Sequence, residues 1–137
     1  MAVYGIDLGA TESSIACIDH AGRPTVLKNA LGEDTTPSVV YFESSESVIV
    51  GRDARDCAAL VPELIAAMVK RQMGTDWEQS FHGQVHTPES ISALILRELV
   101  GSVQEQTGEG VDDVVITVPD AREHVPVVPE SDISARA

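Results

Sequence analysis

The pattern of a capped helix followed by a β-branched run constrains the fold of this chain most strongly. Thr87 suits the N-cap and Pro88 the first helical position, and Gly108 ends the helix. Between them, apolar residues recur on one helix face at Ile91, Leu94, Ile95, Leu99 and Val103. The segment "DVVITVP" (113–119) is then typical of a buried strand reached by a helical crossover. Such a crossover favours parallel pairing, so the pattern predicts an α/β fold.

The first half of the chain contains short segments that favour β-strands. They are rich in Val, Ile or aromatic residues, and Gly, Pro, Asp or Ser bounds them. The segments are residues 3–8, 13–19, 24–29, 37–43 and 47–51. The turn sequence "DHAGRP" joins the second to the third, and "ESSES" joins the fourth to the fifth. Together they predict an antiparallel meander.

The middle of the chain changes to a helical pattern over residues 52–74, "RDARDCAALVPELIAAMVKRQMG". Pro62 interrupts this pattern and Gly74 closes it. We therefore expect two short helices that meet at the proline. The polar segment 75–87 then predicts a hairpin around Gly83.

Charge and hydropathy exclude several classes of protein. Nine Lys and Arg against 22 Asp and Glu give a net charge of -13, which repels nucleic acids and anionic membrane surfaces. No apolar run approaches the length of about 18 residues that a membrane span requires. Cys17 and Cys57 lack metal-binding spacing and predict two reduced, buried thiols. We therefore expect a cytoplasmic protein that binds neither nucleic acid nor membrane.

The opening segment "YGIDLGATESS" (4–14) suits a phosphate-binding turn. Gly9 allows the backbone to approach closely, and successive N–H groups of the turn can face phosphate oxygens. Phosphate would repel Asp7, but this carboxylate can hold a hydrated Mg²⁺ that bridges to the phosphates. Hydroxyl groups follow at Thr11, Ser13 and Ser14. On these residues alone, an aspartate that caps a hairpin turn remains the alternative.

Further segments in a fixed order extend this motif. From about residue 3 to residue 119, the chain resembles the opening of the seventy-kilodalton heat-shock chaperones, the DnaK-like family. The matching segments are "GIDLGATES", "PTVLKNALGEDTTPSVVYF", "VGRDARD", "MVKRQMG", "TPESISALILRELV" and "DVVITVP". The resemblance implies an α/β actin-like ATPase fold, ribonuclease H-like, first lobe only, with a mixed sheet and flanking helices. Residues 1–119 are expected to form this partial domain, with a small peripheral subdomain at about 36–87, and residues 120–137 an irregular tail.

The resemblance also implies roles for individual residues. Asp7 matches an aspartate that organises Mg²⁺ through its waters, and Lys70 matches a lysine that contacts the γ-phosphate. These two are the expected catalytic residues. The expected cofactor-binding residues match the first phosphate loop and are Gly9, Ala10, Thr11 and Glu12. The chemistry agrees, because phosphoryl transfer requires positioning and positive charge around the transferred group.

Other matched positions are structural or depart from the family pattern. A signature loop that precedes a strand matches Glu33, Thr35, Thr36 and Pro37. Pro119 matches a proline that takes part in signalling between domains. Ala10 lacks the hydroxyl that the family usually has in this loop, and Glu12 adds a negative charge to an anion site. We expect Ala10 to remove a nucleotide contact, and Glu12 to weaken anion binding unless its side chain points outward.

The function implied is that of the N-terminal part of a chaperone nucleotide-binding domain. Such a domain binds ATP or ADP with Mg²⁺ and, when complete, hydrolyses ATP to control the binding of unfolded polypeptides. Co-chaperones are further implied partners. The family's second phosphate loop and catalytic glutamate have no match here, so we expect this chain to hydrolyse ATP weakly or not at all.

Two alternatives remain at this point. The chain is either an ATP-binding segment or a non-enzymatic regulatory fragment that pairs with a complementary lobe, a co-chaperone or itself. An uncovered face of half a domain would favour self-association. A sugar or acetate kinase would share the D-x-G-x-T start, but "TTPSVV" and "VKRQMG" argue against that class.

Overall fold

A computed structural model describes residues 3–108, 110–111, 113–118, 123–124 and 128–129. In chain order the strands of this part are β1 (Val3–Leu8), β2 (Glu12–Ile18), β3 (Pro24–Val26), β4 (Thr36–Pro37), β5 (Val39–Phe42), β6 (Val48–Val50), β7 (Ile65–Ala67), β8 (Gln79–Phe81), β9 (Gln84–His86), β10 (Asp113–Val118), β11 (Glu123–His124) and β12 (Val128–Pro129). The α-helices are α1 (Arg52–Cys57) and α2 (Pro88–Thr107), and 3-10 turns cover Pro62–Leu64 and Val69–Gln72.

The main sheet is mixed and has the strand order β11-β10-β1-β2-β3. β1 runs antiparallel to β2 and parallel to β10, so the predicted parallel strand after the helical crossover is confirmed. β4 pairs with β2, and β12 pairs with β10 beside β11. The sheet and its crossover helix confirm the α/β class of the fold.

The second sheet has the order β6-β5-β7, and its existence corrects the prediction of one antiparallel meander. β1, β2 and β3 do form consecutive antiparallel pairs. The fourth predicted strand, however, divides at Ser38, with β4 in the main sheet and β5 in the second. The division follows from burial, because Val40 and Phe42 pack into the core from the second sheet.

The prediction of a second helix after Pro62 is wrong. Helix α1 is present, but the chain after Pro62 forms a 3-10 turn and then strand β7, antiparallel to β5. Helix propensity is a weak preference, and the hydrogen bonds to β5 outweigh it here. Lys70 consequently lies in the 3-10 turn Val69–Gln72 and not at the end of an α-helix.

Helix α2 agrees with the prediction at both ends. The Thr87 side chain accepts a hydrogen bond from the Ser90 amide, the Ser90 hydroxyl accepts one from the Thr87 amide, and Gly108 ends the helix with a φ of 71°. The face of α2 that packs on the sheet buries Ile91, Ile95, Leu99 and Val103. Neither helix in the described part of the chain is long and apolar enough to cross a membrane.

The predicted hairpin around Gly83 is confirmed as β8 and β9. Gly83 has a φ of 81°, a conformation that glycine adopts without a steric cost. The segment 36–87 thus contains the second sheet and this hairpin, although a peripheral subdomain stays a prediction. Cys17 and Cys57 are free thiols, as predicted, but each is only half-buried.

Most of residues 119–137 lies outside the described residues, and this includes Pro119. Within this segment the structure describes β11 and β12. Both pair antiparallel with β10, at opposite ends of that strand. The division into a partial domain and an irregular tail stays a prediction.

His86 packs into an aromatic cluster where the hairpin meets α2. The rings of Phe42 and Phe81 stack with centroids 4.1 Å apart, and the His86 ring lies 4.7 Å from Phe42. Its Nδ1 is 3.1 Å from the hydroxyl of Ser90. Burial in this cluster lowers the pKa of His86. The neutral imidazole is therefore the form that the folded protein favours.

Lowering the pH through about 6.5, the ordinary pKa of histidine, should destabilise the protein through His86. Because its pKa is lowered by folding, the unfolded chain takes up the proton first, and stability falls as the pH falls. The substitution His86→Gln should reduce the loss of stability between about pH 7 and pH 5.5, measured by urea unfolding.

His20→Gln serves as the control, since His20 is an exposed residue of the turn between β2 and β3. This variant should keep the pH dependence of the wild type. The same pH dependence in His86→Gln as in the wild type would contradict the role of His86.

Candidate functional site

Asp7 lies near the carboxyl end of β1, on the face of the main sheet opposite the core. Side chains of a strand alternate between faces, and here Tyr4, Ile6 and Leu8 are buried while Asp7 is exposed. Directly paired residues share a face, which puts Asp7 beside Ser14 of β2 and Thr117 of β10. The result is a row of polar side chains across three strands.

The parallel pairing brings the carboxyl ends of β1 and β10 to the same edge of the sheet. Asp7 pairs with Thr117, whose hydroxyl donates a hydrogen bond of 3.3 Å to the Ile6 carbonyl. In α/β sheets, ligands bind outside the carboxyl ends of parallel strands. Sequence reasoning did not select Thr117, although its place at the end of the β-branched run was a signal.

The β1–β2 turn, residues 9–12, requires glycine at its first position. A Cβ atom added to Gly9 would lie 2.2 Å from the Glu12 carbonyl oxygen, far inside van der Waals contact. Thr11 and Glu12 are exposed and Ala10 is half-buried, so Glu12 does not point into the core. The structure thus brings together all the predicted cofactor-binding residues next to Asp7.

Ser38 holds the β1–β2 turn from the junction between β4 and β5. Its hydroxyl donates to the Gly9 carbonyl at 2.9 Å and lies 2.8 Å from the Ser13 hydroxyl. Its amide donates to the Thr11 carbonyl at 2.9 Å. Ser13 is only 2% exposed, so its hydroxyl serves this contact inside the protein.

Lys70 belongs to the connection that follows the second sheet. It lies three residues after Ala67, which pairs with Val39, the residue that follows Ser38. Met68 adopts a left-handed conformation with a φ of 59°, and Val69 is buried, so the backbone before Lys70 is fixed. The half-buried Lys70 and the β1–β2 turn are therefore linked through the segment that contains Ser38.

The signature loop ends beside the β1–β2 turn, because Thr36 and Pro37 form β4 and pair with Ser13 and Glu12. Asn29 organises it, because its side-chain oxygen accepts from the amides of Leu31 and Glu33. Glu33 in turn pairs with Arg52 at 3.2 Å. A cavity of about 50 Å³ between this loop and α2 is lined by neither Asp7 nor the turn. That the loop is a signature and not a catalytic element stays a prediction.

Glu98 of α2 lies at the same cavity. Burial raises its pKa, and repulsion from Glu105, two helical turns further on, adds to the shift. Among the described residues, no cluster of three His, Cys, Asp or Glu side chains could hold a metal ion. Oxygen ligands from water and from a bound phosphate would have to complete any site that Asp7 begins.

A comparison with known protein families identifies the family of this chain. The family model described as Hsp70 protein matches residues 3–82 and 77–121, two overlapping segments that cover most of the chain. The chain belongs to the Hsp70 family. Every predicted site residue of this Hsp70 chain, from Asp7 to Lys70, lies inside the matched segments. The match ends at residue 121, which leaves β11 and β12 outside it.

Two glycines of the Hsp70 chain should respond to alanine substitution with opposite signs. Gly9→Ala should lower the free energy of unfolding by more than about 1 kcal/mol, because the new Cβ collides with the Glu12 carbonyl. Gly101→Ala, inside α2, should raise it by up to about 1 kcal/mol, since a Cβ there meets nothing within 4 Å. Urea unfolding measures both.

The pair controls for the general effect of replacing glycine. A stabilising effect of Gly9→Ala would show that the β1–β2 turn tolerates a side chain in another conformation. Its backbone would then not be fixed in the way the structure shows.

Proposed function

We propose that this Hsp70-family chain binds ATP or ADP together with Mg²⁺ at the β1–β2 turn. The observation that carries the proposal is the glycine-dependent turn beside Asp7, at the carboxyl edge of parallel strands β1 and β10. Backbone N–H groups of such turns bind phosphate oxygens, and small ligands favour this edge of a sheet. Membership of the Hsp70 family supports the same assignment.

Asp7 is the residue that fits a magnesium ion. Its carboxylate is exposed at the strand end, and its neighbours Ser14 and Thr117 are polar. Carboxylate and water oxygens are the ligands that Mg²⁺ prefers. A bound Mg²⁺ would neutralise phosphate charge, and Asp7 would orient it through its hydration shell.

Charge favours a metal–nucleotide complex over a free nucleotide. The chain carries a net charge of -13, and two exposed carboxylates lie at the turn, Glu12 within it and Asp7 beside it in β1. A bare polyphosphate would meet repulsion at this turn, whereas the Mg²⁺ complex carries less negative charge. From the family match we assign Lys70 to the terminal phosphate, where its positive charge would offset part of this repulsion.

Calorimetric titration with Mg-ADP and Mg-ATP tests the proposal. The wild type should bind both, and Asp7→Asn should weaken binding by about tenfold, the factor that loss of one charge-assisted contact produces. Asp56→Asn is the matched control, since it removes the same charge from an exposed position of α1. ADP with EDTA should bind more weakly than Mg-ADP.

The same samples distinguish binding from catalysis. Phosphate release should be slow or absent, because the groups that surround the γ-phosphate from the opposing lobe have no match in this sequence. Equal weakening by Asp56→Asn and Asp7→Asn would contradict a specific site at Asp7. No heat of binding with either nucleotide would overturn the proposed function.

We further propose that this binding serves a chaperone, as the family indicates. In a complete actin-like domain, the nucleotide state would control the binding of unfolded polypeptides and the response to co-chaperones. The chain would supply one lobe of that domain. The mixed sheet with its crossover helix supports this assignment, because the β1–β2 turn follows β1 at the carboxyl edge of the parallel pair β1 and β10.

A second candidate is an interaction fragment, which the outer face of the main sheet favours. This face, opposite α2, carries apolar side chains that remain partly exposed, among them Val3, Ile18 and Val115. Exposed apolar surface of this kind favours association with another lobe or with a second copy of the chain. Family membership alone does not distinguish this role from nucleotide binding.

Sedimentation equilibrium tests the second candidate. An interaction fragment should form an oligomer that depends on protein concentration but not on Mg-ADP, and Ile18→Thr should weaken it. Leu60→Thr, at a residue that is 82% exposed elsewhere, is the control and should leave the oligomer unchanged. A monomer at all concentrations would contradict this candidate.

A further inference from the structure

We propose that Ser38 is a positioning residue that turns the backbone of the β1–β2 turn toward the phosphates. Ser38 lies 25 residues from its partner Ser13 in the sequence. It contacts the turn from the junction between β4 and β5. The inference rests on the proposed function, since it assigns the turn to phosphate. It adds a residue outside the turn that determines which groups the turn presents.

The contacts of Ser38 fix two carbonyl groups of the turn. The Ser38 hydroxyl donates to Gly9 and the Ser38 amide donates to Thr11, both at 2.9 Å. The hydroxyl of Ser13, at 2.8 Å, completes the contacts of the Ser38 side chain. Ser38 is 5% exposed, so water does not compete for these bonds. Both carbonyl groups therefore point inward to the same buried residue.

When the carbonyl of a peptide group points inward, the amide of the same peptide group points outward. A trans peptide is planar, and its C=O and N–H bonds point in opposite directions. The described residues contain no cis peptide bond. With the Gly9 and Thr11 carbonyls directed at Ser38, the amides of Ala10 and Glu12 are directed away from it. Two N–H groups on the same side form a concave site for an anion.

This arrangement also accounts for the two departures in the turn. The contacts to phosphate come from backbone amides, so Ala10 needs no hydroxyl to take part. Glu12 likewise contributes through its amide, while its side chain is exposed. The identity of the residues at these positions matters less than the orientation of their peptide groups, and Ser38 sets that orientation.

The substitution Ser38→Ala tests the inference in two measurements. In the protein without nucleotide, NMR relaxation and hydrogen exchange should show increased mobility of the Ala10 and Glu12 amides. Titration should show an affinity for Mg-ADP lowered about tenfold, which corresponds to the net free energy of one lost hydrogen bond. Ser13→Ala, which leaves the bond from Ser38 to Gly9 in place, should have a smaller effect on both.

Ser92→Ala is the matched control for the loss of a buried hydroxyl. Ser92 is 6% exposed, lies in α2, and its hydroxyl is 3.8 Å from the sulfur of Met73. This variant should leave the turn amides and the nucleotide affinity unchanged. If Ser38 had a purely structural role, Ser38→Ala and Ser92→Ala would instead have the same effect in both measurements.

The possible outcomes separate this inference from the proposed function. Turn amides that stay ordered in Ser38→Ala would overturn the inference, whatever the wild type binds. Mobile amides with an unchanged affinity would also overturn it, as would a larger effect of Ser13→Ala. A wild type that binds no nucleotide would overturn the proposed function, while mobile amides in Ser38→Ala would still support Ser38 as the residue that fixes the turn.

Discussion

The packing of α2 against the main sheet determines the position of everything else in this structure. Ile95, Leu99 and Val103 of the helix join Ile6 of β1 and Val114 of β10 in one buried cluster. Because the helix spans the sheet, it returns the chain to β10 in the same direction as β1. A shift of this helix would move the carboxyl end of β10 relative to Asp7 and alter the edge where the polar residues meet.

The proposed site draws on two sheets. The main sheet contains Asp7 and the β1–β2 turn, and the connection after the second sheet contains Lys70, which we assigned to the terminal phosphate as a proposal. Ser38 lies where the chain passes from one sheet to the other, between β4 and β5. Its hydrogen bonds to Gly9 and Thr11 therefore connect the β1–β2 turn to the start of the second sheet and restrict their motion relative to each other.

Local patterns predicted the parts of the fold that depend on local physics. The caps and apolar face of α2 lie within 22 residues, from Thr87 to Gly108, and the structure reproduces both ends. Strand β7 was predicted as helix, because only its pairing with β5, far away in sequence, makes it a strand. The same limit applies to the site. Asp7 and Gly9 belong to one short motif, whereas a hydrogen bond between Ser13 and Ser38 leaves no trace in local spacing.

The short strands β11 and β12 lie on the side of β10 that faces away from β1. Each backbone hydrogen-bonding edge of a strand accepts a single neighbour, so β11 and β12 occupy the outer edge of β10 at these positions. A strand from a second protein could pair with β10 there only by displacing them, and the energy of the lost pairing would be subtracted from its binding. Open edges invite indiscriminate pairing between chains. The edge that the sheet presents at these positions consists of two strands of two residues each, and strands this short offer few backbone groups to an incoming strand.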